Sequence, residues 1–258
     1  MKIVSIIVCF IVFSFTLLTA FDLPALDERK LAERFNEANT LYRDNQFAGA
    51  LRIYEELIQN GIVNPDLYYN AANAAHRIGA TGKAILYLER ASKLAPSDKE
   101  VNANLAYLNS IKKDQEPENT NVVLAFLSRH YNAININSVA LWSGVTFALC
   151  LVFATVALFL KGWKQLTLYA VSILFGVMFI TSTGVFIQKL HYNSTVVEAI
   201  IMAEEANAYS GPGDENIHIF TIHEGTKVVI ERTQNEWKLI RLKSGAGGWI
   251  KADLVERI

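Results

Sequence analysis

Two stretches of 23 residues, Ser138–Leu160 and Gln165–Ile187, contain no charged side chain. As helix each extends about 34 Å at roughly 1.5 Å per residue, enough to cross a hydrocarbon layer of about 30 Å. Buried helices of soluble proteins rarely run this long without one charge, so both stretches are expected to span a membrane. Trp142, Trp163 and Tyr169 lie near their ends, where interfacial anchors concentrate. Only Lys161-Gly162-Trp163-Lys164 joins them, which predicts a tight antiparallel hairpin of spans at 138–160 and 165–187. Two lysines in the 161–164 loop place that loop in the cytoplasm.

The rest of the chain is ordinarily charged. Asp22–Glu118 holds 15 acids and 12 bases, Gln188–Ile258 holds 10 acids and eight bases, and no carboxylate lies between Asn119 and Val197. The balance of 24 Lys+Arg against 25 Asp+Glu excludes a strongly basic nucleic-acid binder and an acidic tail. The two cysteines, Cys9 and Cys150, both sit in apolar runs, which excludes a disulfide scaffold and a Cys-based metal site. Lys2, the apolar stretch Ile3–Leu18 and Thr19-Ala20 have the layout of a secretory signal over 1–20, either cleaved or kept as an anchor. Either form exports residue 22 onward. With the hairpin dipping in and returning, both charged segments are expected on the extracytoplasmic face of the inner membrane.

Residues 28–113 read as helical, with Gly49, Gly61, Pro65, Gly79, Gly82 and Pro96 as breaks. Ala38 and Ala72, Leu41 and Ala75, Ala50 and Ala84, Tyr54 and Leu88, and Leu57 and Ala91 are each 34 positions apart. Small residues allow two helices to approach closely, and the larger Tyr54 and Leu88 fill the space between pairs. The second copy, Tyr68-x2-Ala71-Ala72-x2-Ala75, Ala84-x3-Leu88 and Pro96, resembles the tetratricopeptide repeat (TPR). Two repeats and a capping helix at about 98–113 are therefore expected. The resemblance implies a groove lined from the inner helices by Asn39, Tyr42, Arg43, Tyr69, Asn73, His76, Arg77 and Tyr107, for a peptide or partner loop. Asn39 and Asn70 suit a clamp for a terminal carboxylate, but Phe35 and Glu100 stand where cations would be wanted. Residues 114–137 connect this unit to the first span. The polar Lys112–Asn121 reads as linker, and Val122–Asn137 as either a surface-lying helix or a plain connector.

After Lys189 the texture changes to short apolar alternations. Five strands are expected, around Ala199–Met202, His218–Phe220, Lys227–Glu231, Trp237–Arg241 and Gly248–Ile250, in a small all-β barrel over 196–258. Asn207-Ala208-Tyr209-Ser210-Gly211-Pro212, then His223-Glu224-Gly225-Thr226, Glu236-Trp237 and Gly248-Trp249-Ile250 resemble the bacterial SH3-like domain. Its usual Asn-Val-Arg has become Asn-Ala-Tyr. Trp237 and Trp249 read as core, and Tyr209 as the surface candidate for ligand contact.

Enzyme signatures are missing. There is no phosphate loop, no Gly-x-Ser-x-Gly and no HExxH, and His218 and His223 are five apart on a strand and should face opposite ways. No catalytic residue, metal or cofactor is expected. The order of export signal, two TPRs, hairpin and SH3-like unit resembles the BatE-type proteins of the Bat aerotolerance operon. That resemblance implies a non-enzymatic membrane scaffold. Its partners would be membrane proteins with von Willebrand A-type domains and a cytoplasmic MoxR-type ATPase. The alternative is a sensor whose SH3-like unit binds peptidoglycan.

Overall fold

The computed structural model describes residues 25–115 and 133–258, together with Val123 and Tyr131. The export signal over 1–20 and most of the 116–132 connector lie outside the described residues. Seven helices and one antiparallel sheet are seen among the described residues.

Five helices make the first layer: α1 (Ala25–Arg43), α2 (Phe47–Gln59), α3 (Pro65–Arg77), α4 (Thr81–Leu94) and α5 (Lys99–Ile111). α2 starts at Phe47 and α4 at Thr81, so the spacing of 34 in the sequence is also the spacing of the helix pairs. Ala38, Ala50, Ala72, Ala75, Ala84 and Ala91 are all buried at the crossings, with Tyr54, Leu57 and Leu88 between them. Asn64 caps α3 by accepting from the amides of Asp66 and Leu67, with Pro65 at the first helical position. Asp98 caps α5 in the same way through Glu100 and Val101. Gly61 and Gly79 have φ of 84° and 82° and end helices, as expected of breaks. Gly49 and Gly82 do not: they lie in the first turns of α2 and α4.

Two helices are long and apolar enough to cross a membrane: α6 (Ile136–Ala157) and α7 (Trp163–Thr195). They pack against each other in opposite directions. Phe147 meets Phe179 at 5.0 Å, and Phe153 stacks on Phe175 at 5.5 Å. Ser143 Oγ donates to Ser182 Oγ (2.9 Å), and Ser172 Oγ donates to the carbonyl of Cys150 (3.0 Å). Gly176 faces the sulfur of Cys150, whereas Gly184 has open space around it. The ends differ from the uncharged runs. α6 stops at Ala157, and α7 continues past Ile187 to Thr195 because no Gly or Pro follows Gly184 to stop it.

Val196 alone separates α7 from the sheet. Its strands are β1 (Val197–Ile201), β2 (Glu205–Tyr209), β3 (His218–His223), β4 (Lys227–Gln234), β5 (Trp237–Arg241), β6 (Gly247–Lys251) and β7 (Val255–Arg257), in the order β3-β2-β6-β5-β4-β1-β7. Seven strands replace the five expected. Asn207-Ala208-Tyr209, which was not among the expected strands, belongs to β2, paired with β3 and, at Tyr209, with Trp249 of β6. Ala199, Ile201, Ala206, Ala208, Ile222, Val228, Ile240, Ile250 and Val255 form the core of this unit. Trp249 is buried beside it, but Trp237, also expected in the core, is only half-buried.

Candidate functional site

A groove opens on the helical layer between α1 and α3. It has a volume of about 420 Å³ and is lined by Asn36, Asn39, Thr40, Tyr42, Arg43, Tyr54, Asn70 and Asn73. Its polar floor is made by contacts between successive helix pairs. Asn39 Oδ1 accepts from the Tyr54 hydroxyl (2.7 Å) and from Asn70 Nδ2 (3.1 Å). Further along, Asn104 Nδ2 donates to Asn73 Oδ1 (3.2 Å) and to the Tyr69 hydroxyl (3.3 Å), which itself donates to Glu100 (3.2 Å). Asn39 is thereby held in the wall. Burial pushes the Tyr54 phenol up to about 12, with Tyr42 adding to the shift, so Tyr54 remains a donor. Arg43 donates to the Thr40 hydroxyl (3.0 Å) and has no carboxylate within ion-pair distance among the described residues.

The eight expected residues divide. Asn39, Tyr42, Arg43 and Asn73 line this groove. Tyr69 lies in the next rung, and His76 meets Tyr107 edge-on at 5.9 Å, with Tyr107 exposed. Arg77 turns away: its guanidinium lies 4.2 Å over the ring of Phe47, which packs edge-on against Tyr42. Arg77 therefore supports the groove rim and does not line it. Asn36, about one helical turn before Asn39, and Thr40, the residue after it, were not anticipated.

A second arrangement was not anticipated at all. The helical layer and the sheet are fastened together along the outer face of α4. β1 is covered on both sides: Ala199 and Ile201 face the sheet core, and Ile200 enters the helical core, joined there by Met202 and Ile258. The turn between β3 and β4 presses on the first turns of α4. Glu224 Oε1 accepts from the amide of Gly82 (2.6 Å), and Gly225, at φ 82°, lies where a Cβ would meet Ile85 at 2.6 Å. α4 has no side-chain cap of its own, so Glu224 caps it from 142 residues away. Lys227 bonds Glu89 (2.9 Å) and Glu198 (3.1 Å), Lys93 bonds Glu198 (3.2 Å), and Arg90 bonds Glu256 (3.0 Å).

The Lys112–Gln115 segment, expected to be linker, belongs to this seam. Asp114 accepts from the His223 amide (2.7 Å), the His223 ring Nδ1 (2.7 Å) and the Thr226 hydroxyl (2.8 Å). The sequence held one sign of the seam. Ala84-Ile85-Leu86-Tyr87-Leu88 is buried without interruption, and an outer helix that is apolar all round must be covered on its second side.

On the far side of the sheet, Tyr209 meets Trp237 edge-on at 5.7 Å and His218 at 6.0 Å. Lys251 lies over Trp237 and bonds Asp214 (2.9 Å). Tyr209 is thus part of an aromatic group and is itself only half-buried. His223 bonds Asp114 and His218 contacts Thr221, so the two histidines share no ligand. No group of three His, Cys, Asp or Glu suited to a metal is found among the described residues.

The sheet, its turns and its closing Gly-Trp strand can be compared with known proteins. Residues 202–256 match the bacterial SH3 domain family. No curated protein matches the chain. The match covers the SH3-like unit from just after β1 to β7, so β1, which carries Ile200 into the helical core, is the strand through which that unit is joined to the rest of this chain.

Proposed function

We propose that the chain is a non-enzymatic, membrane-anchored adaptor, with two TPRs that take a peptide or loop of a protein partner. The observation that carries this reading is the groove of about 420 Å³ between α1 and α3, whose asparagines and single unpaired guanidinium match the hydrogen-bonding groups of a polypeptide. In this reading α6 and α7 form a transmembrane hairpin with the Lys161 and Lys164 loop inside. The contact between the helical layer and the SH3-like unit supports placing both on one side, the extracytoplasmic one. The BatE-type resemblance supplies the partner class: membrane proteins with von Willebrand A-type domains, acting with a MoxR-type ATPase.

The test is co-purification from detergent-solubilised membranes of the native host, comparing the unaltered chain with Arg43→Ala plus Asn73→Ala. Loss of von Willebrand A-type proteins from the variant alone is the expected result. Retention of every partner by the variant removes the groove from the argument.

A second reading, binding of peptidoglycan through the SH3-like unit, is favoured by the Tyr209, Trp237 and Lys251 group, since flat rings and a cation suit sugar and peptide chains. Sedimentation of the chain with insoluble cell wall, abolished by Tyr209→Ala, would establish it.

A further inference from the structure

The seam between the helical layer and the SH3-like unit surrounds the buried Ile200 contact with charged groups. Lys227 is its main fastening. The side chain keeps 30% of its surface exposed, while Glu89 of α4 and Glu198 of β1 flank the ammonium and are only 14% and 13% exposed. Lys93 of α4 and the Tyr192 hydroxyl of α7 also bond Glu198. The second fastening is Asp114, facing His223 and Thr226. Glu205 of β2 stands 3.6 Å from His223 Nε2 and is paired with Lys113 (3.4 Å). Glu224 on the Gly82 amide and Arg90 on Glu256 add further charged contacts across the seam.

We propose that this seam is an acid-released clasp, fastened by Lys227 between Glu89 and Glu198 and by Asp114 on the His223–Thr226 turn. Protonating the two glutamates leaves the Lys227 ammonium at a partly dry interface with no counter-charge, the costly way to break such a contact. Protonated Asp114 loses the charge that strengthens its three accepted hydrogen bonds. An imidazolium at His223 faces Asp114 and Glu205 and holds the clasp shut. Release therefore follows the carboxylates and not the histidine.

The direction agrees with the titration of the groups concerned. Burial disfavours the Asp114 charge, but the hydrogen bonds from His223 and Thr226 outweigh it and hold the carboxyl below its ordinary value. Burial likewise opposes ionisation of Glu198, and Lys227 and Lys93 outweigh it. For a depressed carboxyl the stabilisation is complete above the ordinary value, about 4, and is lost as the pH falls through the lower folded value. The clasp is shut at neutral pH and opens below about pH 4. It rests on contacts within the chain and holds whatever the groove binds.

The experiment uses the full chain in lipid nanodiscs, with native cysteines replaced by serine and spin labels at the exposed Lys99 of α5 and Arg232 of β4. Pulsed dipolar spectroscopy at pH 7.5 is expected to give one distance. At pH 3.5, just below the ordinary carboxyl value of about 4, a longer, reversible population should rise several-fold. Asp114→Asn plus Glu198→Gln should show the longer population at pH 7.5. An unchanged distribution at pH 3.5 and in the double variant overturns the clasp. So does a distance change accompanied by loss of the circular-dichroism signal, because the seam then does not part by itself. Should the double variant fail to fold, Lys227→Met decides: it leaves Glu89 and Glu198 without the ammonium between them, so the longer population should already appear at pH 7.5, and a distribution at pH 7.5 like that of the unaltered chain removes Lys227 from the fastening.

Discussion

A methyl group at Gly82 tests the seam at its tightest point. A Cβ there would lie 2.7 Å from Cγ and 2.9 Å from Oε1 of Glu224, and 3.1 Å from the carbonyl oxygen of Ile201. Glu224 can swing aside only by giving up the Gly82 amide, which leaves α4 without a cap. The lost cap costs about 1 kcal/mol, and crowding adds about 1–3 kcal/mol. The better helix propensity of Ala returns up to about 1 kcal/mol. Gly82→Ala should therefore destabilise by about 1–3 kcal/mol, and Glu224→Ala alone by about 1 kcal/mol. In the double variant the methyl no longer meets Glu224 and the cap is already gone. The two changes should then fall short of additivity by about 1–2 kcal/mol. Urea unfolding of the full chain in detergent, followed by tryptophan fluorescence, measures all four corners of the cycle. Additivity within about 0.5 kcal/mol, the behaviour of distant sites, would refute the contact between α4 and the β3–β4 turn.

Other outcomes follow from local geometry. Gly176→Leu should reduce the thermal stability of the detergent-solubilised chain, because the new side chain meets Cys150, while Gly184→Leu should leave it unchanged. Absorbance titration should show Tyr54 ionising near its raised value of about 12. Because its folded value exceeds the unfolded one, stability should be intact below about pH 10 and fall as the pH rises from there towards the folded value. Tyr54→Phe should remove one of the late-titrating groups, Tyr87 being raised by burial as well, and cost about 1 kcal/mol, since Asn39 keeps its bond from Asn70. Trp249→Ala should cost about 3–5 kcal/mol in the same urea assay, and Trp237→Ala clearly less, because only Trp249 is buried.

The long apolar helices were legible because removing every charge over 23 residues leaves few alternatives, and the helix pairs because their small residues recur at a fixed interval. β2 was not legible. Its inward residues are Ala206 and Ala208, which carry little apolar signal, and they are small because Gly248 passes so close to Ala208 that a Cβ would lie 2.9 Å away. β7 has three residues, too few for an alternation to register. Gly82 looked like a helix break because a glycine demanded by a distant carboxylate cannot be told from one demanded by a turn. Asp114 and His223 are 109 residues apart, and their pairing leaves no local pattern. In the groove, Asn39, Tyr42, Arg43 and Asn73 could be placed from the repeat, whereas the rotation of Arg77 onto Phe47 depends on a ring in the neighbouring helix.

The passage of α7 into β1 through Val196 alone has a mechanical consequence. A helix of 33 residues is a stiff rod of about 50 Å at roughly 1.5 Å per residue. With so short a joint, a piston stroke or tilt of the rod is delivered to the sheet with little slack. Through Glu198 and Ile200 it reaches the outer helix of the array, so a push at the lysine loop would be felt at the far end of the molecule.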